Sequence, residues 1–203
     1  MIKLLKASLS SSSPKLQIYK TLLLKWTKVI NLVSPNTIEN VDSRHFQDSL
    51  QLIDIIPENA KILMDIGSGA GFPGLVIAIE RPDIEVHLVE SDTKKCSFLS
   101  TISRETDTPV IIHNARVEDV SKTETIKPDV ITARAVASLS EILNLTESWW
   151  ASNKEICLIL SKGEKAQEEV IEANKKFQFH LKIHPSQTDK KAQILVLTQV
   201  EKR

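Results

Sequence analysis

The chain has 203 residues, of which 41% are hydrophobic and 26% are charged, a composition that is typical of a globular domain and excludes an intrinsically disordered chain. Its two cysteines allow at most one disulfide, and no short spacing of cysteine and histidine indicates a metal site. There is no run of 18 apolar residues and no convincing signal-peptide cleavage site, so the sequence predicts a cytoplasmic protein without a membrane span.

The net charge of zero hides an uneven distribution. Residues 1–35 carry a charge of +6 and residues 175–203 carry +5, so residues 36–174 carry −11. Basic ends around an acidic middle would suit a polyanionic partner. Lysines that only solvate the chain ends explain the same distribution equally well, and charge alone leaves both interpretations open.

The first 60 residues are predicted to form a helical extension. Apolar residues at three- and four-residue steps predict one helix from Pro14 to the residue before Pro35. A second helix is predicted to begin at Asp42 or Ser43 and to end before Pro57. In that helix Arg44 would lie one turn from Asp48, at the spacing of an ion pair.

From residue 61 the pattern changes to short apolar runs that alternate with helical segments. The apolar runs predict buried strands at 62–66, 86–89, 110–112, 130–133, 156–160 and 194–197. The segments between them predict helices at 74–80, 94–105, 138–150 and 164–176. This order is typical of an α/β, Rossmann-like fold, a mostly parallel twisted sheet with helices on both faces. We therefore expect one domain over 1–203, with the extension at 1–60 and the α/β core at 61–203.

Four of the five glycines lie within eight residues: Gly67, Gly69, Gly71 and Gly74. They follow the first predicted strand and precede a predicted helix, and glycine allows a ligand to approach the main chain closely. A glycine-rich turn between a strand and a helix is the usual context of a nucleotide site.

The spacing of these glycines also matches the dinucleotide fingerprint, so the type of nucleotide must be decided elsewhere. Asp65 stands two residues before the loop, where a carboxylate suits the ammonium and sulfonium of S-adenosylmethionine and would repel a pyrophosphate. The chain is also too short to add a conventional substrate domain for hydride transfer. Glu90, after the next strand, can accept hydrogen bonds from both ribose hydroxyls of either cofactor.

Residues 65–74, which read DIGSGAGFPG, resemble the signature of the small-subunit ribosomal RNA guanine-N7 methyltransferases, the family historically called glucose-inhibited division protein B. Three further stretches agree with that family: residues 25–32, residues 44–50 (RHFQDSL) and the pair Arg134-Ala135. The 44–50 element is the most specific of these. The resemblance extends from about residue 22 to 163, and Thr27 departs from it, because the family usually has asparagine there.

The resemblance implies a class I S-adenosylmethionine-dependent methyltransferase that modifies guanine N7 in small-subunit (16S) rRNA. It implies that Gly67 and Phe72 touch the cofactor, that Val117 and Glu118 frame its adenine, and that Arg134 completes the site. Guanine N7 carries a lone pair and no proton, so no general base is required, and we assign no catalytic residue. Two alternatives remain, a methyltransferase of the same core with another acceptor and a non-catalytic, dinucleotide-binding regulator.

The expected partner is small-subunit rRNA or the ribosomal subunit, and a monomer is the favoured state. Basic residues near the predicted ligand edge are the candidates for RNA contacts, because phosphate contacts need cations. The candidates are Lys25, Lys28, Arg44, His45, Arg116 and Lys162, with Arg134 able to grip either the cofactor carboxylate or an RNA phosphate.

Overall fold

The computed structural model describes residues 13–123 and 125–203, so the serine run at 10–12 and the lysines before it lie outside the described residues. The N-terminal segment contains α1 (Pro14–Trp26), a 3-10 turn (Pro35–Thr37), a π-helix (Asp42–Gln47), the short α2 (Asp48–Leu50) and a second 3-10 turn (Ile53–Ile55). The strands are β1 (Ile62–Ile66), β2 (Glu85–Val89), β3 (Ile111–His113), β4 (Val130–Arg134), β5 (Cys157–Lys162), β6 (Phe177–Pro185) and β7 (Gln193–Lys202). The remaining helices are α3 (Gly74–Glu80), α4 (Thr93–Glu105), α5 (Val117–Thr123), α6 (Leu139–Leu145), α7 (Glu147–Ser152) and α8 (Ala166–Asn174).

The seven strands form one sheet in the order β3-β2-β1-β4-β5-β7-β6. The first five pair in parallel, whereas β7 is antiparallel to both β5 and β6. Buried apolar residues form one cluster on each face of the sheet, and α1 packs into the same cluster as β1 and α3. The predicted Rossmann-like fold is confirmed. Strand order reverses between β1 and β4, which is where ligands bind in open α/β sheets.

The N-terminal segment is less helical than predicted. Helix α1 ends at Trp26, eight residues before the expected end, because the β-branched residues Thr27, Val29 and Ile30 are weak helix formers. A tight turn follows and returns Leu32 and Val33 to the core. The predicted second helix is instead the π-helix, α2 and a 3-10 turn.

The helices of the core differ from the predicted ones at two places. The predicted helix at 138–150 is divided into α6 and α7, which meet at Thr146, a buried residue whose hydroxyl donates to the carbonyl of Ile142. Helix α5 was not predicted, because its sequence VEDVSKT has too few apolar residues to show a helical period. In the part of the chain that the structure describes, every helix is too short or too polar to cross a bilayer.

Candidate active site

A cavity of about 590 Å³ opens at the carboxyl edge of the parallel strands. Its walls come from the loop after β1, the ends of β2, β4 and β5, the N-terminal segment and the loop between β6 and β7. The lining includes Leu32, Val33, Arg44, His45, Asp48, Gly67, Ser68, Gly69, Phe72, Glu90, Lys95, Arg134, Ser161, Lys162, Glu169, Thr188 and Asp189. A volume of this size is typical of a site for a small molecule or cofactor.

The loop of residues 67–74, the glycine loop, places bare main chain on the floor of this cavity. Gly67, Gly69 and Gly71 all have positive φ. A Cβ atom on Gly69 would lie 3.8 Å from the carbonyl oxygen of Gly67 and would meet no other heavy atom within 4 Å. The space above Gly69 is therefore open to a ligand. A Cβ atom on Gly71 would instead lie 2.6 Å from both Leu75 and the Tyr19 hydroxyl.

Asp65, the predicted cofactor ligand, lies beneath the glycine loop and does not line the cavity. Its side chain is fully buried; the Thr132 hydroxyl donates to one carboxylate oxygen at 2.7 Å and the Gly74 N–H donates to the other at 3.3 Å. Burial raises the pKa of Asp65 to about 6, against the opposing effect of these hydrogen bonds. Asp65 therefore fixes where the loop leaves β1 and enters α3.

Glu90 follows β2 and turns its carboxylate toward the glycine loop. One oxygen accepts from the N–H of Gly69 at 2.9 Å, and the other accepts from the N–H of Asp92 at 2.8 Å. Only 8% of the residue is exposed, on the cavity side. A carboxylate has about four acceptor positions, so about two remain for a ligand beside Gly69.

The glycine loop rests on an aromatic cluster that the N-terminal segment supplies. The ring of Tyr19 stacks on that of Phe72, with centroids 5.2 Å apart, and Phe46 meets Phe72 edge-on at 5.1 Å. The Tyr19 hydroxyl donates a short hydrogen bond to the carbonyl oxygen of Ala70. Because burial raises the pKa of Tyr19 well above 10, this hydroxyl stays protonated. Helix α1 thus supports the loop directly.

Arg134 ends β4, as predicted, and lies over the face of Phe72 with its guanidinium carbon 5.2 Å from the ring centroid. One terminal nitrogen donates to the carbonyl of Arg44 at 2.9 Å and approaches Asp48 at 3.4 Å. The other donates to Nδ1 of His45 at 2.9 Å. Among the described residues these contacts use three of the five N–H groups of a guanidinium, which leaves two for a ligand.

His45 is neutral at physiological pH. Arg134 can only donate, so Nδ1 of His45 accepts, and Nε2 carries the proton that it shares with Thr37 at 3.0 Å. Burial, reinforced by Arg134 and Arg44, lowers the pKa of His45 to about 4. The residue is 8% exposed and stacks on Phe72, so the structure places this predicted RNA contact inside the site wall.

The π-helix region and the loop between β6 and β7 hold each other across the cavity; we name these residues, 44–51 and 186–192, the clasp. Arg44 forms an ion pair of 2.6 Å with Asp189, not with Asp48 as the spacing predicted. Asp48 accepts instead from Thr188 at 2.7 Å. The partners differ because of long-range contacts: Arg134 also approaches Asp48, at 3.4 Å, while the loop between β6 and β7 brings Asp189 to Arg44.

Lys162, the last residue of β5, also lines the cavity. Its ammonium forms an ion pair of 2.8 Å with Glu169 of α8 and donates to the carbonyl of Ala137 at 2.5 Å. Lys162 is only 8% exposed, so it belongs to the cavity and not to the outer surface where an RNA backbone would lie.

The remaining predicted residues lie outside the cavity. Val117 begins α5 with its side chain in the core, and neither it nor the half-buried Glu118 lines the cavity. Arg116, Lys25 and Lys28 are exposed.

The sequence did not indicate the hydrogen bond of Tyr19, the place of Glu169 in the cavity or the contact between the two segments of the clasp. Tyr19 was placed in the apolar stripe of α1, where its hydroxyl was the only sign of a second role. Glu169 is one of several acids on α8, and nothing in its spacing separates it from its neighbours. Within the described residues, no group of three His, Cys, Asp or Glu side chains could hold a metal ion.

Comparison with known proteins gives a consistent result. The family described as rRNA small subunit methyltransferase G (GidB) matches residues 12–197. The ribosomal RNA small subunit methyltransferase G of Paramagnetospirillum magneticum is 43% identical over 189 residues, which cover 93% of this chain and 89% of that protein. The corresponding protein of Caulobacter vibrioides is 40% identical, over 91% of this chain and 83% of its own length.

Solved structures support the fold. The O-methyltransferase TomG from Streptomyces achromogenes, solved in complex with SAM, superimposes with a TM-score of 0.61 at 11% identity and covers 93% of this chain and 91% of its own. A ribosomal protein L11 methylase from Lactobacillus delbrueckii gives a TM-score of 0.60 at 16% identity, over 77% of this chain and 78% of its own. At such low identity these likenesses show the Rossmann-like methyltransferase fold alone.

Proposed function

This chain belongs to the rRNA small subunit methyltransferase G family, and from that membership we propose that it transfers a methyl group from S-adenosylmethionine to N7 of a guanine in 16S rRNA. The observation that carries the proposal is the open floor at Gly69 beside the Glu90 carboxylate, inside a cavity of cofactor size. Of the two alternatives, a different acceptor and a dinucleotide-binding regulator, the family membership favours neither.

The described residues fit S-adenosylmethionine. Glu90 retains acceptor positions for two ribose hydroxyls, and the main chain at Gly69 is open where an adenosyl group would approach. We propose that Gly67, Gly69 and Phe72 form the floor beneath the cofactor and that Arg134 uses its spare N–H groups on the carboxylate of the methionine part. We propose that Asp65 and Gly71 do not contact the cofactor and instead fix the conformation of the loop.

The adenine site is proposed for the side of Glu90 that faces α5. Val117 and Glu118 begin that helix, and they would frame the adenine from beyond the edge of the cavity. This assignment rests on the family resemblance, since neither residue lines the cavity.

The chemistry requires positioning more than proton transfer. S-adenosylmethionine supplies a methyl group bonded to a positively charged sulfur; when the N7 lone pair takes the methyl carbon, the carbon–sulfur electron pair stays on sulfur and the positive charge passes to the guanine. No proton moves, so the residues of this chain need only hold the two groups in line. His45 is consistent with this, because both of its ring nitrogens are engaged.

We propose that RNA docks on a lysine patch beside the cavity, formed by Lys25, Lys28, Lys94 and Lys95. Residues 29–31 share a shallow depression with Lys94 and Lys95, and Lys95 also lines the cavity. None of the four lysines forms an ion pair with a described residue, and Val29 between them is 84% exposed. Asp92 borders the same depression and interacts with Lys94 and Lys95, so the four lysines leave an excess of positive charge around an exposed apolar tip, which suits an RNA backbone. Arg44 and Arg116 remain candidates for further phosphate contacts.

The double variant Lys94→Glu/Lys95→Glu tests this patch. We expect the affinity for RNA to fall by a similar factor for every RNA sequence. The slope of the logarithm of the association constant against the logarithm of the salt concentration should decrease in magnitude by about 1 to 2. Lys175→Glu/Lys202→Glu, which changes the same charge at two exposed and paired lysines, is the matched control. Equal salt slopes in the two double variants would contradict the placement.

The proposed function also bears on domain organisation, oligomeric state and cellular location. We propose that residues 1–203 act as one domain, since α1 shares a core with the sheet, and that the protein is a monomer. A cytoplasmic location is proposed from the substrate, because ribosomal RNA is found there.

The experiment that tests the function is transfer of a labelled methyl group from S-adenosylmethionine to small-subunit ribosomal particles, to free 16S rRNA and to a panel of small phenols and amines. The proposal expects label in RNA or particles. Label only in a small molecule would favour another acceptor, and binding of NADH without binding of S-adenosylmethionine would favour the regulator.

A further inference from the structure

A lysine–glutamate pair, with a buried Lys162 and a half-buried Glu169, lies on the side of the cavity away from Glu90. Glu90 follows β2, whereas Lys162 ends β5, and β1 and β4 lie between these two strands in the sheet. Glu169 comes from α8, which packs against α6 and β6, farther still from the glycine loop. Both residues line the cavity, and Glu169 also borders a shallow depression beside α8.

The hydrogen bonds of this pair leave one donor and one acceptor unused among the described residues. The Lys162 ammonium has three N–H groups, of which one goes to Ala137 and one to Glu169. One oxygen of Glu169, Oε2, forms the ion pair with Lys162 at 2.8 Å and accepts from the N–H of Leu139 at 2.7 Å. No described residue donates to the other oxygen, Oε1. The pair therefore presents an N–H beside a carboxylate oxygen.

We propose that Lys162 and Glu169 recognise the acceptor guanine, with the Lys162 ammonium donating to O6 and Oε1 of Glu169 accepting from N1–H. The proposal rests on the function proposed above and extends it to the residues that select the base. Guanine carries an acceptor at O6 next to a donor at N1, which complements the donor and acceptor that the pair leaves free. The cofactor site proposed above does not include either residue.

The order of the two groups along the cavity explains why guanine is selected over adenine. Moving away from N7, guanine presents O6 and then N1–H, whereas adenine presents an amino group and then an unprotonated N1. With N7 turned toward the glycine loop, Lys162 on β5 is met first and Glu169 on α8 second. Adenine would then place a donor against the ammonium and an acceptor against the carboxylate.

The negative charge of Glu169 would also stabilise the positive charge that develops on the guanine. The guanine becomes positively charged as N7 is methylated, and a carboxylate at N1–H stabilises that charge as it develops. An interaction that strengthens in the transition state raises kcat more than it changes KM. Replacing Glu169 should therefore lower kcat, while a purely structural role would appear as lost stability or lost cofactor affinity.

The first test uses Glu169→Gln, which keeps one oxygen for Leu139 and Lys162 but presents N–H groups to the base. We expect kcat on small-subunit particles to fall by about 100-fold, with the melting temperature and the Kd for S-adenosylmethionine unchanged. Glu172→Gln, one turn along α8 on an exposed ion pair, is the matched control and should retain full activity. A kcat for Glu169→Gln within about threefold of the control overturns the proposal.

The second test leaves the protein unchanged and replaces the target guanine in reconstituted particles. Inosine keeps O6 and N1–H, so its rate should stay within about tenfold of guanine, whereas 2-aminopurine lacks both and should react at least about 1,000-fold more slowly. Equal rates for the two analogues overturn the base-recognition role, even if Glu169→Gln fails to fold. If the wild-type protein leaves guanine itself unmethylated, the proposed function has failed, and that outcome is separate from either result.

Discussion

Replacement of Gly69 is a direct test of the glycine loop, because replacement of Gly71 in the same loop serves as the control. The backbone at Gly69 has φ of +58°, a conformation that aspartate tolerates at a cost of about 1 to 2 kcal/mol. A Cβ atom there meets no atom closer than 3.8 Å, so Gly69→Asp should fold. Its side chain would enter the space above the loop, beside Glu90.

We expect Gly69→Asp to weaken S-adenosylmethionine binding by at least about 100-fold, or about 2.8 kcal/mol. Gly71→Ala should behave in the opposite way. Its Cβ atom would lie 2.6 Å from Leu75 and Tyr19, and overpacking of about 1 to 3 kcal/mol adds to the strain of its positive φ. That variant should lose several kcal/mol of unfolding free energy.

The assay pairs calorimetric titration of S-adenosylmethionine with urea unfolding on both variants and the wild type. We expect Gly69→Asp to be folded but unable to bind S-adenosylmethionine, and Gly71→Ala to be markedly less stable than the wild type. Unchanged cofactor affinity in Gly69→Asp would refute it, and so would a Gly71→Ala variant as stable as the wild type.

Three further results are expected. Tyr19→Phe removes the hydrogen bond to Ala70 and should lower the unfolding free energy by about 1 kcal/mol in urea titration, and an unchanged value would show that the bond contributes nothing. Glu90→Gln should raise the calorimetric Kd for S-adenosylmethionine by about tenfold or more, because charged acceptors make the stronger hydrogen bonds; equal affinity would remove Glu90 from the ribose site. Because the pKa of His45 is about 4 when folded and near 6.5 when unfolded, its contribution to stability is present above pH 6.5 and is lost toward pH 4. Between pH 6.5 and 4 the His45→Asn variant should therefore lose roughly 2 kcal/mol less unfolding free energy than the wild type. Equal losses in the two proteins would contradict the lowered pKa of His45.

The sequence was most informative where local pattern alone determines structure. The glycine loop, the parallel strands and Arg134 at the end of β4 all follow from short-range signals, and the structure contains them. Spacing could not show that Asp65 points beneath the loop, because the side of a strand that faces a ligand depends on what packs above it. Asp65 therefore follows the predicted strand as expected, but its carboxylate bonds to Thr132 and Gly74 instead of facing the cavity.

Long-range contacts account for most of what the sequence did not predict. The clasp joins Arg44 to Asp189, residues 145 positions apart, and Tyr19 meets Ala70 across 51 positions. Neither contact leaves a periodic signal. The π-helix adds a second difficulty, since a single widened turn changes which side chains meet without changing composition.

The position of the transferred methyl group decides whether this protein is a guanine-N7 methyltransferase. After reaction with S-adenosylmethionine, 16S rRNA from small-subunit particles is treated with borohydride and aniline, which cleave the chain at 7-methylguanosine, and the ends are mapped by primer extension. We expect one new cleavage at a guanine, which should be absent from particles treated with the Gly69→Asp variant. Incorporation of label without cleavage, or with the label on a ribose or another base, would contradict it.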